Sequence, residues 1–441
     1  MSVLTFKQGI HPDYKKKLTN KEPLKEAERP KEVVIPLQQH IGAPLNPVVE
    51  KGDHVDMGQK IGDTDSFVAA PVHASVSGTV KDITEVQTAS GAKTMSVIIE
   101  ADEEDQLAEN LDKHENYEDL SPDEIRNIVR EAGIAGMGGA MFPTHVKLSV
   151  PDDKEVDYFV LNGAECEPYL TVDHRMMVER PNSVLNGMKI MMRAVDVKKG
   201  FIGIEENKPD AIDAMKKAVD DEEYIEVKVF ETKYPQGGEK MMIKAALDRE
   251  VPVGGLPLDV GVVVNNVTTA VAVSDAVKKG MPLIKRSVTV TGSGIENPQN
   301  FICRIGTRIG DLIEQAGGFK DEVGKIVVGG PMTGSAQHST ETPIVKGSSG
   351  ILVLPPEEVQ YSEPEPCIRC ARCVDACPMS LVPVKLAKYA EHDMYEKMEE
   401  FNIQNCIKCG SCSYICPANR PLLQNIEIGQ AELAAKQRED E

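Results

Sequence analysis

Short apolar runs interrupted by glycine and proline fill residues 32–101, and this pattern predicts short β-strands joined by turns. The preceding residues, 1–31, are polar and rich in Lys, Glu and Pro, so we expect an irregular arm there. Residues 102–120 are acidic and are predicted to be a linker. The first quarter of the chain is therefore expected to hold one small β-domain.

From residue 121 onward the hydrophobic pattern alternates between helical and strand periods, as in an α/β layer fold. Ser121-Pro-Asp-Glu124 has the spacing of a capping box and predicts the start of a helix. The remaining predicted elements are strands at 157–161, 201–204 and 260–264, and helices at 181–195 and 209–219. We therefore expect one α/β domain over residues 121–280.

A smaller unit is predicted at residues 285–350, with a strand at 287–291, a helix at 309–316 and a strand at 325–328. A Pro- and Glu-rich linker at 355–366 leads into a C-terminal domain at 360–425. Within that domain a helical pattern covers residues 384–401. The fold class expected from these patterns is a multidomain protein of α/β and α+β domains.

Composition excludes several classes of function. The length of 441 residues favours about three domains. The net charge of −21 argues against binding to nucleic acid or directly to anionic lipid. No apolar run approaches the ~18 residues of a membrane span, and residues 1–17 lack the apolar stretch of a signal peptide. We therefore expect an intracellular protein in a reducing compartment, whose contact with any membrane is peripheral.

Eight of the ten cysteines repeat one spacing, C-x2-C-x2-C-x3-C-P. The two runs are Cys367, Cys370, Cys373 and Cys377 before Pro378, and Cys406, Cys409, Cys412 and Cys416 before Pro417. Three thiolates at this spacing hold three corners of a cubane cluster, and the fourth cysteine ligates the other cluster in two-cluster ferredoxins. We therefore predict two [4Fe-4S] clusters, with Cys416 completing the first and Cys377 completing the second.

Zinc and disulfides are the alternative uses of these cysteines. Zinc sites use paired CxxC units rather than triples followed by CP. Disulfides need an oxidising compartment, which nothing else in the sequence indicates. The duplicated motif therefore favours two clusters in a ferredoxin-like domain enlarged by helices.

A glycine-rich stretch at residues 133–147 is the second candidate site. Its glycines, which include Gly136, Gly138 and Gly139, allow the close approach of backbone N–H groups to a phosphate. The stretch does not match the dinucleotide fingerprint GxGxxG, because Met141 stands at the third glycine position. Taken alone, it could equally be a tight turn without a ligand.

Three further polar segments strengthen the case for a ligand. They cover residues 162–168, 234–239 and 265–269, and each follows a predicted strand. Ligands of α/β sheets bind outside the carboxyl ends of the strands, where these segments would meet. The four segments together therefore predict one binding site.

Two of the smaller domains resemble known folds. Residues 48–62 and 70–80 resemble a lipoyl or biotinyl carrier domain, but the tip at 63–67 lacks the modifiable Lys, so we expect an unmodified barrel-sandwich hybrid. The unit at 285–350 resembles the β-grasp SLBB (soluble-ligand-binding) domain. No metal-binding spacing links the histidines of the first domain, which we therefore expect in surface or packing roles: His40, His54 and His73.

The four polar segments of the α/β domain resemble the FMN and NADH site of the flavoprotein subunit of respiratory complex I. The resemblance implies that FMN contacts Gly136, Gly138 and Lys147 at its phosphate, and Asn162, Glu165, Asn265 and Asn266 at its ring and ribityl chain. It also brings Gly139, Tyr234 and Thr269 into the set of cofactor-binding residues. No catalytic nucleophile or acid–base pair is required.

The same resemblance implies a nucleotide over the flavin. Phe142 would stack on the nicotinamide or the adenine, and Glu167 and Glu239 would bind the hydroxyls of NAD(H). Two residues depart from the pattern, since Ala164 stands where the family has Asp and Gly238 where it has Glu. Both changes remove polar contacts.

Each candidate also has an ordinary structural interpretation. Glu165 and Glu239 could cap helices, and Phe142 could belong to the core. Cys166 and Cys303 lie outside the two runs, and a lone cysteine is more often buried than reactive.

The order of the domains resembles that of the RnfC family, one of the subunits of the Rnf ion-translocating electron transport complex. Stretches at 9–12, 35–44 and 70–78 carry this resemblance. It implies a peripheral subunit on the cytoplasmic face of the cell membrane, which passes electrons between NAD(H), FMN and two clusters. Its implied partners are the membrane and iron–sulfur subunits of the complex and, through them, ferredoxin.

Two alternatives to this function remain open. A cobalamin reductase of propanediol-utilisation compartments shares the domain order. An iron–sulfur scaffold without flavin would share the cysteine runs. Bound flavin in the purified protein would exclude the scaffold, and NADH-driven reduction of cobalamin would indicate the reductase.

Overall fold

A computed structural model describes residues 3–102, 104–109, 111–359 and 363–439. The arm predicted at 1–31, the linkers predicted at 102–120 and 355–366, and the start of the domain predicted at 360–425 therefore lie partly outside the described residues.

The described strands and helices follow the predicted division into domains. The strands are β1 (Leu24–Glu26), β2 (Glu32–Pro36), β3 (Asn46–Pro47), β4 (His54–Val55), β5 (Lys60–Asp63), β6 (Val72–His73), β7 (Gly78–Gln87), β8 (Lys93–Ala101), β9 (Tyr158–Gly163), β10 (Gly200–Glu205), β11 (Ile225–Phe230), β12 (Val262–Asn266), β13 (Lys285–Thr291), β14 (Gln299–Arg304), β15 (Lys325–Val328), β16 (Ser335–Gln337) and β17 (Gly350–Leu354). The helices are α1 (Pro122–Glu131), α2 (Thr144–Leu148), α3 (Val172–Glu179), α4 (Pro181–Ala194), α5 (Pro209–Ala218), α6 (Glu239–Leu247), α7 (Val267–Lys279), α8 (Ile309–Gln315), α9 (Arg372–Asp375), α10 (Pro383–Glu391), α11 (Tyr395–Glu400), α12 (Ser411–Tyr414) and α13 (Leu422–Glu439).

The barrel domain, residues 32–101, consists of two small sheets packed face to face. One has the order β2-β8-β7-β4 and the other the order β3-β5-β6. Alternate residues of their strands, such as Val33, Ile35, Val97 and Ile99, are fully buried between the sheets. The long β7–β8 hairpin extends from this core.

The α/β domain is built on a parallel sheet of order β11-β10-β9-β12. Its strands are nearly continuous apolar runs because helices cover both faces. The capping box at the start of α1 is confirmed, since Ser121 Oγ accepts from the Glu124 amide at 3.3 Å and Glu124 Oε2 accepts from the Ser121 amide at 2.7 Å. The carboxyl ends of β9 and β12 lie side by side.

The SLBB-like domain contains a six-stranded sheet, β1-β14-β13-β17-β15-β16. Here the arm differs from the prediction of an irregular segment. Its residues Leu24–Glu26 form β1, which pairs in parallel with β14. The strand occupies the edge of β14, whose backbone groups would otherwise lack partners in the sheet.

The cysteine domain, residues 363–439, is helical between and after its two cysteine runs. The continuous helix predicted at 384–401 is wrong, because α10 and α11 are separated by residues 392–394. Asp393 has a φ of 55°, a left-handed conformation that cannot continue a helix. The last helix, α13, extends well beyond the predicted end at residue 425 and packs on α10 and α11.

Across the described ranges, which omit 1–2, 103, 110, 360–362 and 440–441, no helix is both long and apolar enough to cross a bilayer.

Candidate functional site

A cavity of about 320 Å³ lies outside the carboxyl ends of β9 and β12, between the α/β domain and the SLBB-like domain. Among the residues that the sequence indicated, those that line it are Gly138, Gly139, Asn162, Glu165, Glu167 and Asn266. Its volume falls within the range of small-molecule sites, roughly 300–1,000 Å³. Three of the four predicted polar segments therefore meet at one place, and Gly237 brings the fourth to the same wall.

The glycine loop enters the cavity as a closed hairpin. The amide of Gly136 donates to the carbonyl of Phe142 at 2.9 Å, so the residues between them project together. The amide of Met137 donates to Thr269 Oγ1 at 3.0 Å. Its carbonyl accepts from the buried guanidinium of Arg286 at 3.0 Å. Thr269 therefore positions the loop from below and does not line the cavity itself.

Side chains at the ends of β9 and β12 connect the polar segments. Asn162 Nδ2 donates to the carbonyl of Gly237 at 2.7 Å. Asn266 caps α7 through its Oδ1 and donates from Nδ2 to Asp173 Oδ2 at 2.7 Å. Asp173, at the start of α3, also lines the cavity. The sequence analysis missed Asp173 because no motif surrounds it.

The two glutamates of the β9 loop are enclosed and already hold hydrogen bonds. Glu165 accepts from the Asp173 amide at 2.7 Å and from the His174 amide at 3.2 Å, so it does cap a helix, α3. Glu167 accepts from the Met332 amide at 3.1 Å and from the Thr333 hydroxyl. Burial raises the pKa of both carboxyls.

The arm supports the same loop through Lys16. Its amine donates to the carbonyls of Glu165, Glu167 and Leu170 at 2.6, 2.8 and 2.6 Å. Burial lowers the pKa of Lys16, and the negative charge of Glu165 opposes this shift. One lysine in a polar arm gave no signal that it would anchor a loop of another domain.

Two more domains complete the cavity wall. The SLBB-like domain contributes Gly329, Gly330 and Thr333 from the loop after β15, and Gly347 and Ser348 from the segment before β17. The tip of the β7–β8 hairpin contributes Ala89 and Ser90, and the Ala89 carbonyl accepts from Gln337 Nε2 at 2.9 Å. The sequence placed the site within the α/β domain alone.

Several residues implied by the resemblance lie outside the cavity. Lys147 forms an ion pair with Glu239 and donates to the Val264 carbonyl at 2.9 Å. Phe142 is half-buried at the base of the glycine loop. Tyr234 is buried, and its hydroxyl donates to the carbonyl of Cys409 at 2.7 Å. These positions agree with direct contact to a ligand less well than those of the lining residues.

The residues that are present fit a flavin. A side chain at Gly139 would meet no atom within 4 Å, so the backbone is open to a ligand there. Asn265 is buried, and its Nδ2 has no hydrogen-bond partner among the described residues. Backbone amides near a glycine loop and unpaired amide donors suit phosphate and ring carbonyl oxygens.

The cysteines are sorted into two groups, as the crossed ligation predicts. Cys377 of the first run and Cys406, Cys409 and Cys412 of the second line one void. Burial raises the pKa of Cys406 to about 11 and that of Cys412 to about 12. These thiols would have to lose their protons to bind iron, so assembly of a cluster releases protons.

The other group lies nearer the surface. The Cys373 thiol has a pKa raised by burial and, to a smaller extent, by its neighbours Cys416 and Cys367. Cys367 and Cys370 are exposed. Among the described residues no group of His, Cys, Asp or Glu has the geometry of a site for a single metal ion. A cubane needs a wider set of thiolates than one tetrahedral ion, and the first group with its void meets that need.

Comparison with known proteins divides the chain in the same way. Residues 4–104 match the RnfC barrel sandwich hybrid domain, and residues 129–275 match the Nuo51 FMN-binding domain. Residues 287–336 match the SLBB domain and residues 360–417 the 4Fe-4S dicluster domain.

Similar curated proteins cover nearly the full length. The chain is 49% identical over 434 residues to the C subunit of the Na⁺-translocating ferredoxin:NAD⁺ oxidoreductase complex of Acetobacterium woodii, covering 98% of both chains. It is 50% identical over 437 residues to the C subunit of the proton-translocating ferredoxin:NAD⁺ oxidoreductase complex of Clostridium ljungdahlii, covering 99% of this chain and 95% of that one. Identity is thus nearly equal to relatives named for different coupling ions.

Among solved structures, the chain is similar to an NAD⁺-reducing [NiFe]-hydrogenase in its H2-reduced state. The TM-score is 0.51 at 20% identity, and the match covers 74% of this chain and 68% of that chain. At this identity the likeness concerns the fold alone.

Proposed function

This chain belongs to the RnfC family of subunits of ion-translocating ferredoxin:NAD oxidoreductase complexes, and from that premise we propose how its sites share the electron transfer. FMN occupies the cavity of the α/β domain, NAD(H) docks beside Glu167, and two [4Fe-4S] clusters occupy the cysteine domain. A bound flavin exchanges two electrons with a nicotinamide and single electrons with clusters.

The observation that carries this proposal is a shared wall between the two sites. Cys166 lines the cavity and also packs in a buried group with Cys409. Cys409 in turn lines the void of the second cysteine group. We therefore name the cluster of Cys377, Cys406, Cys409 and Cys412 the proximal cluster, and that of Cys367, Cys370, Cys373 and Cys416 the distal cluster. The exposure of Cys367 and Cys370 supports a distal cluster that faces a partner protein of the complex.

Glu167 is our candidate for nucleotide selection. Its carboxylate lies in the cavity wall and accepts from the Met332 amide and the Thr333 hydroxyl of a loop. A carboxylate at the 2′-hydroxyl would repel the 2′-phosphate of NADP, so NADH should be preferred to NADPH. Glu239 lies outside the cavity in an ion pair with Lys147, and we assign it a supporting role.

Anaerobic stopped-flow reduction of the bound flavin tests this function. We expect NADH to reduce it faster than NADPH, and Glu167→Gln to weaken NADH reduction by roughly tenfold, since a charge-assisted hydrogen bond is lost. Glu239→Gln is the matched control on a neighbouring carboxylate. Equal rates with both nucleotides would refute the assigned selection. No reduction by either nucleotide would make the chain a relay that receives electrons from a partner flavoprotein.

The partners and location follow from the same premise. The relatives' complexes are ferredoxin:NAD⁺ oxidoreductases that move Na⁺ or protons. We propose that this chain sits peripherally on the cytoplasmic face of the cell membrane, joined to membrane and iron–sulfur subunits, with ferredoxin reached through them. Purification from native membranes, with identification of the co-eluting subunits, tests this arrangement.

A further inference from the structure

Tyr234 connects the flavin-binding domain to the surroundings of the proximal cluster. It lies in the loop between β11 and α6 and is only 2% exposed. Its hydroxyl donates to the carbonyl of Cys409 at 2.7 Å. The sequence grouped Tyr234 with the cofactor-binding residues of the cavity, but its polar atom points to the other site.

The arm joins the same contact. Ile10 and Tyr234 exchange two backbone hydrogen bonds of 2.9 Å each. The neighbouring Gly9 amide donates to the carbonyl of Ala376 at 3.2 Å. Ala376 precedes Cys377, so arm and tyrosine reach the cluster ligands from two sides. We call the contacts of residues 9–10, Tyr234, Ala376 and Cys409 the seam.

Apolar packing closes the seam against water. Ile10, Tyr234 and Ala376 form a buried group, and the side chains that pack against it are Cys166, Met332, Cys409 and Ile415. Cys166 faces the flavin cavity, and Cys409 faces the void of the proximal cluster. The seam is therefore the contact across which an electron passes between the two sites.

We propose that Tyr234 is a positioning residue for electron transfer between the flavin and the proximal cluster, acting through the carbonyl of Cys409. This rests on the proposed function. In the step, one electron leaves the reduced flavin and enters the cluster, and no bond between protein atoms forms or breaks. The hydroxyl fixes the Cys409 segment at the seam, and its dipole stabilises the extra negative charge of the reduced cluster.

The test compares Tyr234→Phe with the wild-type protein, because Phe keeps the ring and loses only the donor. The control is Tyr224→Phe, since Tyr224 is 51% exposed in the same domain. We expect unchanged iron and flavin contents in both variants. In Tyr234→Phe alone, electron transfer from flavin to cluster should slow by roughly fivefold, the effect of losing one buried hydrogen bond on a docking equilibrium.

Two readouts do not depend on turnover. An EPR redox titration should show a lower potential for the proximal cluster in Tyr234→Phe and an unchanged potential for the distal one. Hydrogen exchange should become faster at the amides of Gly9 and Ile10. The transfer is started both by NADH and by photoreduction of the flavin with EDTA as donor, so a failure of nucleotide binding leaves the second measurement intact.

Three outcomes would overturn the proposal. An unchanged transfer rate and cluster potential would make Tyr234 a passive packing residue. Slower reduction of the flavin by NADH, with unchanged transfer to the cluster, would return Tyr234 to the nucleotide site. Loss of iron in Tyr234→Phe would assign it to holding the cluster rather than to electron transfer.

Discussion

At the scale of single residues, the cavity depends on positions where a side chain is absent. A Cβ at Gly138 would lie 2.7 Å from Asn266 Nδ2, whereas one at Gly139 would meet nothing. Asn266 holds Asp173 and caps α7, so it cannot move without breaking those bonds. The two neighbouring glycines therefore have different roles.

We predict that Gly138→Val and Gly139→Ala both reduce flavin content, but for different reasons. Gly138→Val displaces Asn266 and should also destabilise the fold, by about 1–3 kcal/mol for an overpacked site. Gly139→Ala should leave the thermal unfolding temperature unchanged and weaken only the binding of the ligand. Flavin content and thermal unfolding, measured on the same preparations, separate the two effects. Full flavin retention in Gly139→Ala would contradict a flavin at the loop.

At the scale of elements, the two cysteine runs form one unit because each run lends its last cysteine to the other group. The short helices α9 and α12 contain the third cysteine of each run and turn the fourth toward the other run. Helices α10 and α13 pack around them. The duplication is thus a crossed pair rather than two separate sites.

This crossing predicts where damage appears. Cys377→Ala should remove the proximal cluster, whose other ligands belong to the second run. Cys416→Ala should remove the distal cluster, whose other ligands belong to the first run. Iron content should fall toward half in each variant, and EPR should show which cluster remains. If each variant lost the cluster of its own run, the crossed ligation would be wrong.

At the scale of the whole molecule, buried groups join the domains. The amine of Lys346 donates to the carbonyl of Pro71 in the barrel domain at 2.5 Å and to that of Gly133 at the glycine loop at 2.6 Å. Burial lowers the pKa of Lys346 to about 7. His40 and His73 lie near it, and burial followed by the charge of Lys346 lowers their pKa values to about 4 and about 3.

The neutral histidines make this junction sensitive to acid. Their folded pKa values lie below the unfolded value near 6.5, so their contribution to stability is complete above that pH and is lost as pH falls toward 4. His40 Nε2 accepts from the Ala70 amide at 3.0 Å, a bond that protonation breaks. We expect each histidine to cost the folded state about 1 kcal/mol between pH 7.5 and pH 5.5.

Hydrogen exchange at the Ala70 amide, corrected for the intrinsic effect of pH, measures this loss. The wild-type protein should exchange faster at pH 5.5, and His40→Gln should show a smaller dependence on pH. His338→Gln is the control, because His338 is exposed. A wild-type rate that did not respond to pH would show that the junction stays closed when acidified.

The sequence by itself determined the features that local spacing encodes. The duplicated cysteine spacing fixes which thiols can hold clusters, because three ligands within seven residues leave few geometries. The capping box and the apolar runs of β9, β10 and β12 fixed the elements of the α/β domain. The same strands placed Asn162 and Asn266 at one edge, because parallel strands end on the same side of a sheet.

Only the tertiary structure decided which side chains meet from distant parts of the chain. Lys16, Ala89, Thr333 and Lys346 reach the cavity region from three other domains, and no local pattern marks them. It also moved Lys147, Glu239 and Tyr234 out of the cavity. Such contacts depend on how whole domains pack, and the buried charges and backbone groups at their junctions must find partners that sequence neighbours do not supply.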